Sequence, residues 1–158
     1  MKKIGLFFIL GFFTLGCTSD DDICMSGEAT PRMKIKFRDT QNRAYRIPQI
    51  NIKVDYGDGK IGVLEASNVD SVLVPLRIDE STFTNFSVSK SEQVTPSNIQ
   101  VSYTTKTEYV SPACGMKRIY ENVSTNLQST TTVKEIQSVH NEIKNEEQTH
   151  FYFIFDPS

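Results

Sequence analysis

Residues 33–37 read Met33-Lys34-Ile35-Lys36-Phe37, apolar and basic side chains alternating one for one. A period of two places the apolar members on one face of an extended strand and the lysines on the other. The period returns at Ile50, Ile52 and Val54, and again at Val72, Val74, Leu76 and Ile78. Between Val54 and the pair Ile61 and Val63 lies Tyr56-Gly57-Asp58-Gly59, whose Gly-Asp-Gly tolerates positive φ and predicts a hairpin turn. Pro75 cannot donate to a ladder, so the strand expected over 72–78 belongs at a sheet edge or carries a bulge.

Further along, Phe86 and Val88 predict a short strand, and Ile99, Val101 and Tyr103 another after a loop at 94–98. A turn is expected near Lys106, leading into Tyr109-Val110, with residues 111–115 interrupting or bulging the chain before Met116–Tyr120. Residues 124–132 suit strand or polar loop, and 133–139 strand or short helix. The polar stretch 140–148 reads as loop. Phe151–Phe155 is nearly continuously apolar, as in a strand buried on both sides or closing a core. About eight strands separated by turn signals predict an all-β, antiparallel β-sandwich of immunoglobulin-like type. Its expected core is Ile35, Phe37, Ile52, Val74, Leu76, Val88, Val101, Tyr103, Phe153 and Phe155.

The chain has 158 residues, net charge −2, 38% apolar and 23% charged residues. That length suits one domain rather than two large ones. A charge near balance provides no basic field, so nucleic acid is not an expected partner. The apolar fraction exceeds that of disordered chains, and no apolar run reaches the ~18 residues of a membrane-spanning helix.

The first residues read as an address. Lys2 and Lys3 form a basic start, Ile4–Gly16 is a short apolar run, and a small residue precedes Cys17. This is the pattern of a secretory signal peptide over 1–16. Thr14-Leu15-Gly16-Cys17 resembles a bacterial lipobox, although Thr14 stands where Leu is usual. The resemblance implies cleavage before Cys17 and acylation of that residue, which anchors the chain to a lipid bilayer. Several acyl chains exceed the two signals that stable anchoring needs. Asp20, Asp21 and Asp22 follow, and such a run resembles the Bacteroidota signal for export to the cell surface; a hydrated spacer is the alternative. Loss of Lys2 and Lys3 with the signal peptide moves the net charge from −2 to −4. The expected organisation is signal peptide 1–16, lipidated acidic tether 17–23 and one domain over 24–158.

With Cys17 acylated, Cys24 and Cys114 remain as an even pair in an oxidising compartment, which reads as a disulfide rather than two free thiols. Closing a loop of about 90 residues contributes ~4.5 kcal/mol in the chain-entropy model. The chain resembles an uncharacterised family of Bacteroidota lipoproteins. The resemblance rests on Asp22-Ile23-Cys24, Val74-Pro75-Leu76-Arg77-Ile78-Asp79, Tyr103, Tyr109–Gly115, Tyr120 and Asn122. It implies a small β-rich lipoprotein with a cysteine pair, and no activity.

Candidate chemistry is sparse. His140 and His150 lie in a polar stretch and read as hydrated surface residues, and no nucleophile elbow, zinc-protease helix or P-loop occurs. No enzyme and no cofactor are expected. Asp55, Asp58 and Asp70 lack the spacing of a calcium loop, so turn chemistry accounts for them. Arg77 is a possible ligand contact, set against a structural arginine bridging Asp79 or Glu80. Asp70-Ser71-Val72 resembles a short Bacteroidota O-glycosylation tripeptide at Ser71. Tyr103, Tyr109 and Tyr120 read as core or cross-strand aromatics before a binding surface. The expected function is a non-enzymatic binding or structural lipoprotein of the outer membrane, meeting an envelope protein or glycan through loops or an edge strand. The alternative is a carrier of a small apolar ligand, or an envelope-assembly accessory, with a pocket lined by Phe151–Phe155.

Overall fold

A computed structural model describes residues 29–112 and 114–157. Signal peptide, Cys17, the acidic run Asp20, Asp21 and Asp22, and Cys24 lie outside the described residues. Nine strands follow in order: β1 Met33–Asp39, β2 Ile47–Asp55, β3 Ile61–Val69, β4 Ser71–Val74, β5 Phe83–Ser89, β6 Ser97–Ser111, β7 Gly115–Leu127, β8 Val133–Ser138 and β9 Phe151–Phe155. They form two sheets, one ordered β4-β1-β9-β8 and the other β3-β2-β5-β6-β7. The predicted β-sandwich is the fold. All pairings are antiparallel except β1 with β9, which run parallel with Ile35 opposite Phe151.

Alternation decides which side chains face inward. Met33, Ile35 and Phe37 of β1 are buried, as are Ile50, Ile52 and Val54 of β2 and Phe151, Phe153 and Phe155 of β9. The sheets meet through aromatic rings: Phe86 stacks on Phe153 at 6.3 Å, while Phe37 meets Phe155 edge-on within the four-stranded sheet. Every member of the predicted core is buried.

Several boundaries differ from expectation. The strand expected over 72–78 stops at Val74, because Pro75 breaks the ladder, and β4 is the edge strand that Pro75 implied. No turn occurs near Lys106. Strand β6 runs from Ser97 to Ser111 and returns as β7, with register shifts at 102–104 and 109–111. Those shifts absorb the twist of two long paired strands without ending them. Val133–Ser138 is strand, not helix, held by its ladder to β9. Within 140–148, Ile143 is fully buried and bridges Tyr120.

The two lateral ends of the sandwich are unlike. At the end where β7 and β8 lie, Ile143 enters the core beside Tyr120, exchanging hydrogen bonds with its main chain at 3.1 and 2.8 Å. At the opposite end β3 passes to β4 through a single residue, Asp70, so the chain crosses directly from one sheet to the other. The two edge strands form the two arms of this corner.

Candidate functional site

The space between those arms is the cleft of interest. Leu64 and Ala66 of β3 are only half-buried, although they pair with the fully buried Ile52 and Ile50 of β2. Three hollows of about 360, 420 and 400 Å³ follow this edge. The first two share Arg32, Leu64, Glu65 and Leu73, and the first and third share Tyr56 and Pro75. They form one groove running from Lys34 and Ser71 to Arg77 and Asp79.

Local sequence explains its floor. A Cβ at Gly62 would stand 2.5 Å from the Tyr56 ring, so only glycine allows the tyrosine to lie across β3. That half-burial raises the Tyr56 hydroxyl above its ordinary pKa. The turn carrying Tyr56 has Gly57, Asp58 and Gly59 at positive φ, and Asp55 Oδ1 accepts from the Gly57 N–H at 2.8 Å. Turn chemistry thus accounts for Asp55 and Asp58, as their spacing implied.

Arg77 lines the far end of the groove. Its guanidinium donates to both carboxylate oxygens of Asp79 and lies against the Gly57 backbone, where a Cβ would meet Nη2 at 2.7 Å. Asp79 holds the Arg77 pKa above its ordinary value, and Arg77 holds the Asp79 carboxyl below the usual carboxylate range. Glu80 pairs instead with Arg118 at 2.7 Å. Arg77 is therefore a clamp between the segment after β4 and the β2–β3 turn, with its charge already engaged. Beneath it, the Arg77 N–H donates to Thr84 Oγ1, Thr84 bonds the Tyr103 hydroxyl at 2.7 Å, and the Tyr120 hydroxyl donates to the Arg77 carbonyl. Burial pushes the Tyr120 hydroxyl strongly upward. Tyr103 and Tyr120 are core residues meeting edge-on at 4.9 Å, whereas Tyr109 is exposed near the β6–β7 turn.

The other singled-out residues are scattered. Ser71 is half-buried on the edge strand, donating its hydroxyl to Asp70. His150 is 1% exposed, which corrects its reading as a hydrated surface residue; Nδ1 accepts from the Lys34 N–H. The sequence signal was available, since His150 directly precedes the apolar run 151–155. Cys114 is disulfide-bonded in the turn after β6; its expected partner, Cys24, lies outside the described residues. Phe153 and Phe155 are spent on ring packing, Phe151 is buried beside them in β9, and none of the three lines these hollows. Among the described residues no group of three metal-ligating side chains comes together. Sequence reasoning found Pro75 and Arg77 in this region but not the cleft, which needs residues from β2, β3 and β4 at once.

A family model covers residues 49–155, from within β2 to the end of β9, and its description is DUF6452, a family of unknown function. The chain belongs to DUF6452. The matched stretch contains Val74–Asp79, Tyr103, Tyr109–Gly115, Tyr120 and Asn122, and so most of the motifs on which the family resemblance rested. Asp22-Ile23-Cys24 and strand β1 lie before it. DUF6452 therefore takes in the β3 and β4 walls of the cleft, while Arg32 and Lys34 on its rim come from outside the matched stretch. No curated protein and no solved structure matches the chain.

Proposed function

We propose that this DUF6452 chain is a membrane-anchored, non-enzymatic lipoprotein of the outer membrane, displayed on the cell surface, whose β3/β4 cleft receives an extended polypeptide segment of an envelope partner. The observation that carries the binding role is the inequality of the two ends. Ile143 closes one, while the other leaves two edge strands flanking an apolar groove. Edge strands with free main-chain groups accept an added strand, and half-buried Leu64, Ala66 and Leu73 provide contacts for its alternate side chains. The anchoring role rests on the sequence alone: Lys2 and Lys3, the apolar run to Gly16, Cys17 as the acylated residue, and Asp20, Asp21 and Asp22 as the export signal. A Cys24–Cys114 bond would hold the end of the tether on the β6–β7 turn.

Site-directed photocrosslinking in intact cells tests the cleft. A photoreactive residue at Leu73 should give a discrete adduct with one envelope protein, whereas one at Lys134 on β8 should not. Equal patterns from both positions would refute the binding role. Labelled palmitate should enter the wild type and not Cys17→Ala. Protease added to intact cells should digest the wild type and spare the variant with all three aspartates changed to Ala. Protection of both would place the domain on the periplasmic side.

A further inference from the structure

We infer that the outer face of the four-stranded sheet docks electrostatically on the anionic headgroups of the membrane that carries the anchor. The same alternation that buries Met33, Ile35 and Phe37 sets Lys34, Lys36 and Arg38 on the opposite face of β1, about 6.7 Å apart. None of the three cations has a carboxylate in ion-pair contact among the described residues, although the Glu146 carboxylate, paired with Arg32, also lies within the field of Lys34. The chain has six arginines, and Arg32, Arg43, Arg46, Arg77 and Arg118 all sit in ion pairs. Arg38 alone has no carboxylate partner among the described residues. Its guanidinium lies 3.4 Å over the Tyr152 ring and donates to Asn42 Oδ1. Lys34 Nζ donates to the Glu147 carbonyl, a neutral acceptor. Lys36, exposed between Tyr152 and Ser71 in register, has no carboxylate partner among the described residues either.

The carboxylates at the margins of this face are already engaged, Glu146 beside Lys34 being paired with Arg32. Glu135 on the outer strand β8 accepts from Gln137, and Asp70 at the other margin faces Arg46 at 3.7 Å. A chain of net negative charge thus gathers on one sheet a row of three cations, none in an ion pair among the described residues. The occupant follows from charge complementarity and from reach. Residues 18–23 separate the proposed anchor from Cys24, which the proposed disulfide ties to Cys114 in the β6–β7 turn, and span at most ~22 Å when extended. A tethered domain explores only that distance, and each basic residue near an anionic surface weights the orientation that brings it close. Docking this face leaves the five-stranded sheet turned away from the bilayer. The inference rests on the proposed anchor at Cys17.

The test uses the processed chain, residues 17–158 with Cys17→Ser, so that no acyl group contributes. Sedimentation with phosphatidylglycerol–phosphatidylcholine vesicles should carry the protein down, and pure phosphatidylcholine should not. The combined variant Lys34→Gln, Lys36→Gln and Arg38→Gln should bind on the order of 100-fold more weakly, about fivefold per charge. An equal change on the other sheet and its hairpins, Lys53→Gln, Lys60→Gln and Lys106→Gln, should bind as the wild type does. Raised salt should release the wild type. Equal pelleting with neutral vesicles, failure to pellet with either kind, or wild-type binding by the first variant would overturn the inference. Circular dichroism of both variants separates lost binding from lost fold. Palmitate labelling reports the anchor independently, so failure of one reading does not imitate failure of the other.

Discussion

His150 and Lys34 hold each other twice. Lys34 N–H donates to His150 Nδ1 at 2.8 Å, and His150 N–H donates to the Lys34 carbonyl at 3.0 Å. The pair extends the parallel β1/β9 ladder by one rung, using an imidazole nitrogen where a second carbonyl would otherwise serve. Nδ1 can accept only while it is unprotonated, and burial, with Lys34 and His140 nearby, lowers the His150 pKa to about 4.

Stability should therefore fall on mild acidification. The folded-state pKa lies below the ordinary value of 6.5, so the unfolded chain binds the proton first as pH drops. The contribution is complete above about pH 6.5 and is lost as pH falls through about 4, amounting to at most ~3 kcal/mol. Urea titrations across this window should show the slope, and His150→Gln should flatten it. An equal slope in the variant would remove His150 as the cause.

Ile143 should behave as a core residue although its neighbours in sequence are polar. Ile143→Ala should cost about 2–5 kcal/mol in chemical denaturation, and hydrogen exchange should quicken at Tyr120 and Val123, whose amides bond to this segment. A loss below 1 kcal/mol would mean that the segment is not a working part of the core.

At Gly57 two penalties coincide, a φ of +81° and the Arg77 guanidinium where a Cβ would stand. Gly57→Ala should destabilise by more than ~1 kcal/mol. Adding Arg77→Ala should recover the steric part and leave the backbone part, giving a non-additive cycle. Strict additivity would contradict the clamp.

For the cysteines, non-reducing mass spectrometry of the mature chain should show a peptide joining Cys24 to Cys114. Reduction should lower stability by about 2–4 kcal/mol. Alkylation of both thiols before reduction would refute the pairing.

Legibility followed the range of the forces involved. Met33–Phe37, Ile50–Val54 and Phe151–Phe155 were readable as strands because burial on a sheet face imposes a period of two on neighbouring residues. The Gly57–Gly59 turn was readable because positive φ selects residue types locally. Lys106 misled, since a lysine on the exposed face of a long strand looks like one in a turn. Arg77 was legible as a residue tied to a nearby carboxylate, but its contact with Gly57 was not, because the partner comes from another hairpin.

By itself, the sequence determined the class of fold, the inward-facing residues, the edge position of the strand ending at Pro75 and the basic face of β1. All of these follow from alternation and backbone chemistry within a few residues. Only the tertiary structure decided that β1 lies parallel to β9, that Ile143 closes one end, that His150 is buried, and that β3 and β4 leave a cleft. It also decided that Arg38 alone among the arginines lacks a carboxylate among the described residues. Each depends on which distant segments meet, and pairing between strands far apart in the chain leaves no periodic trace in either one.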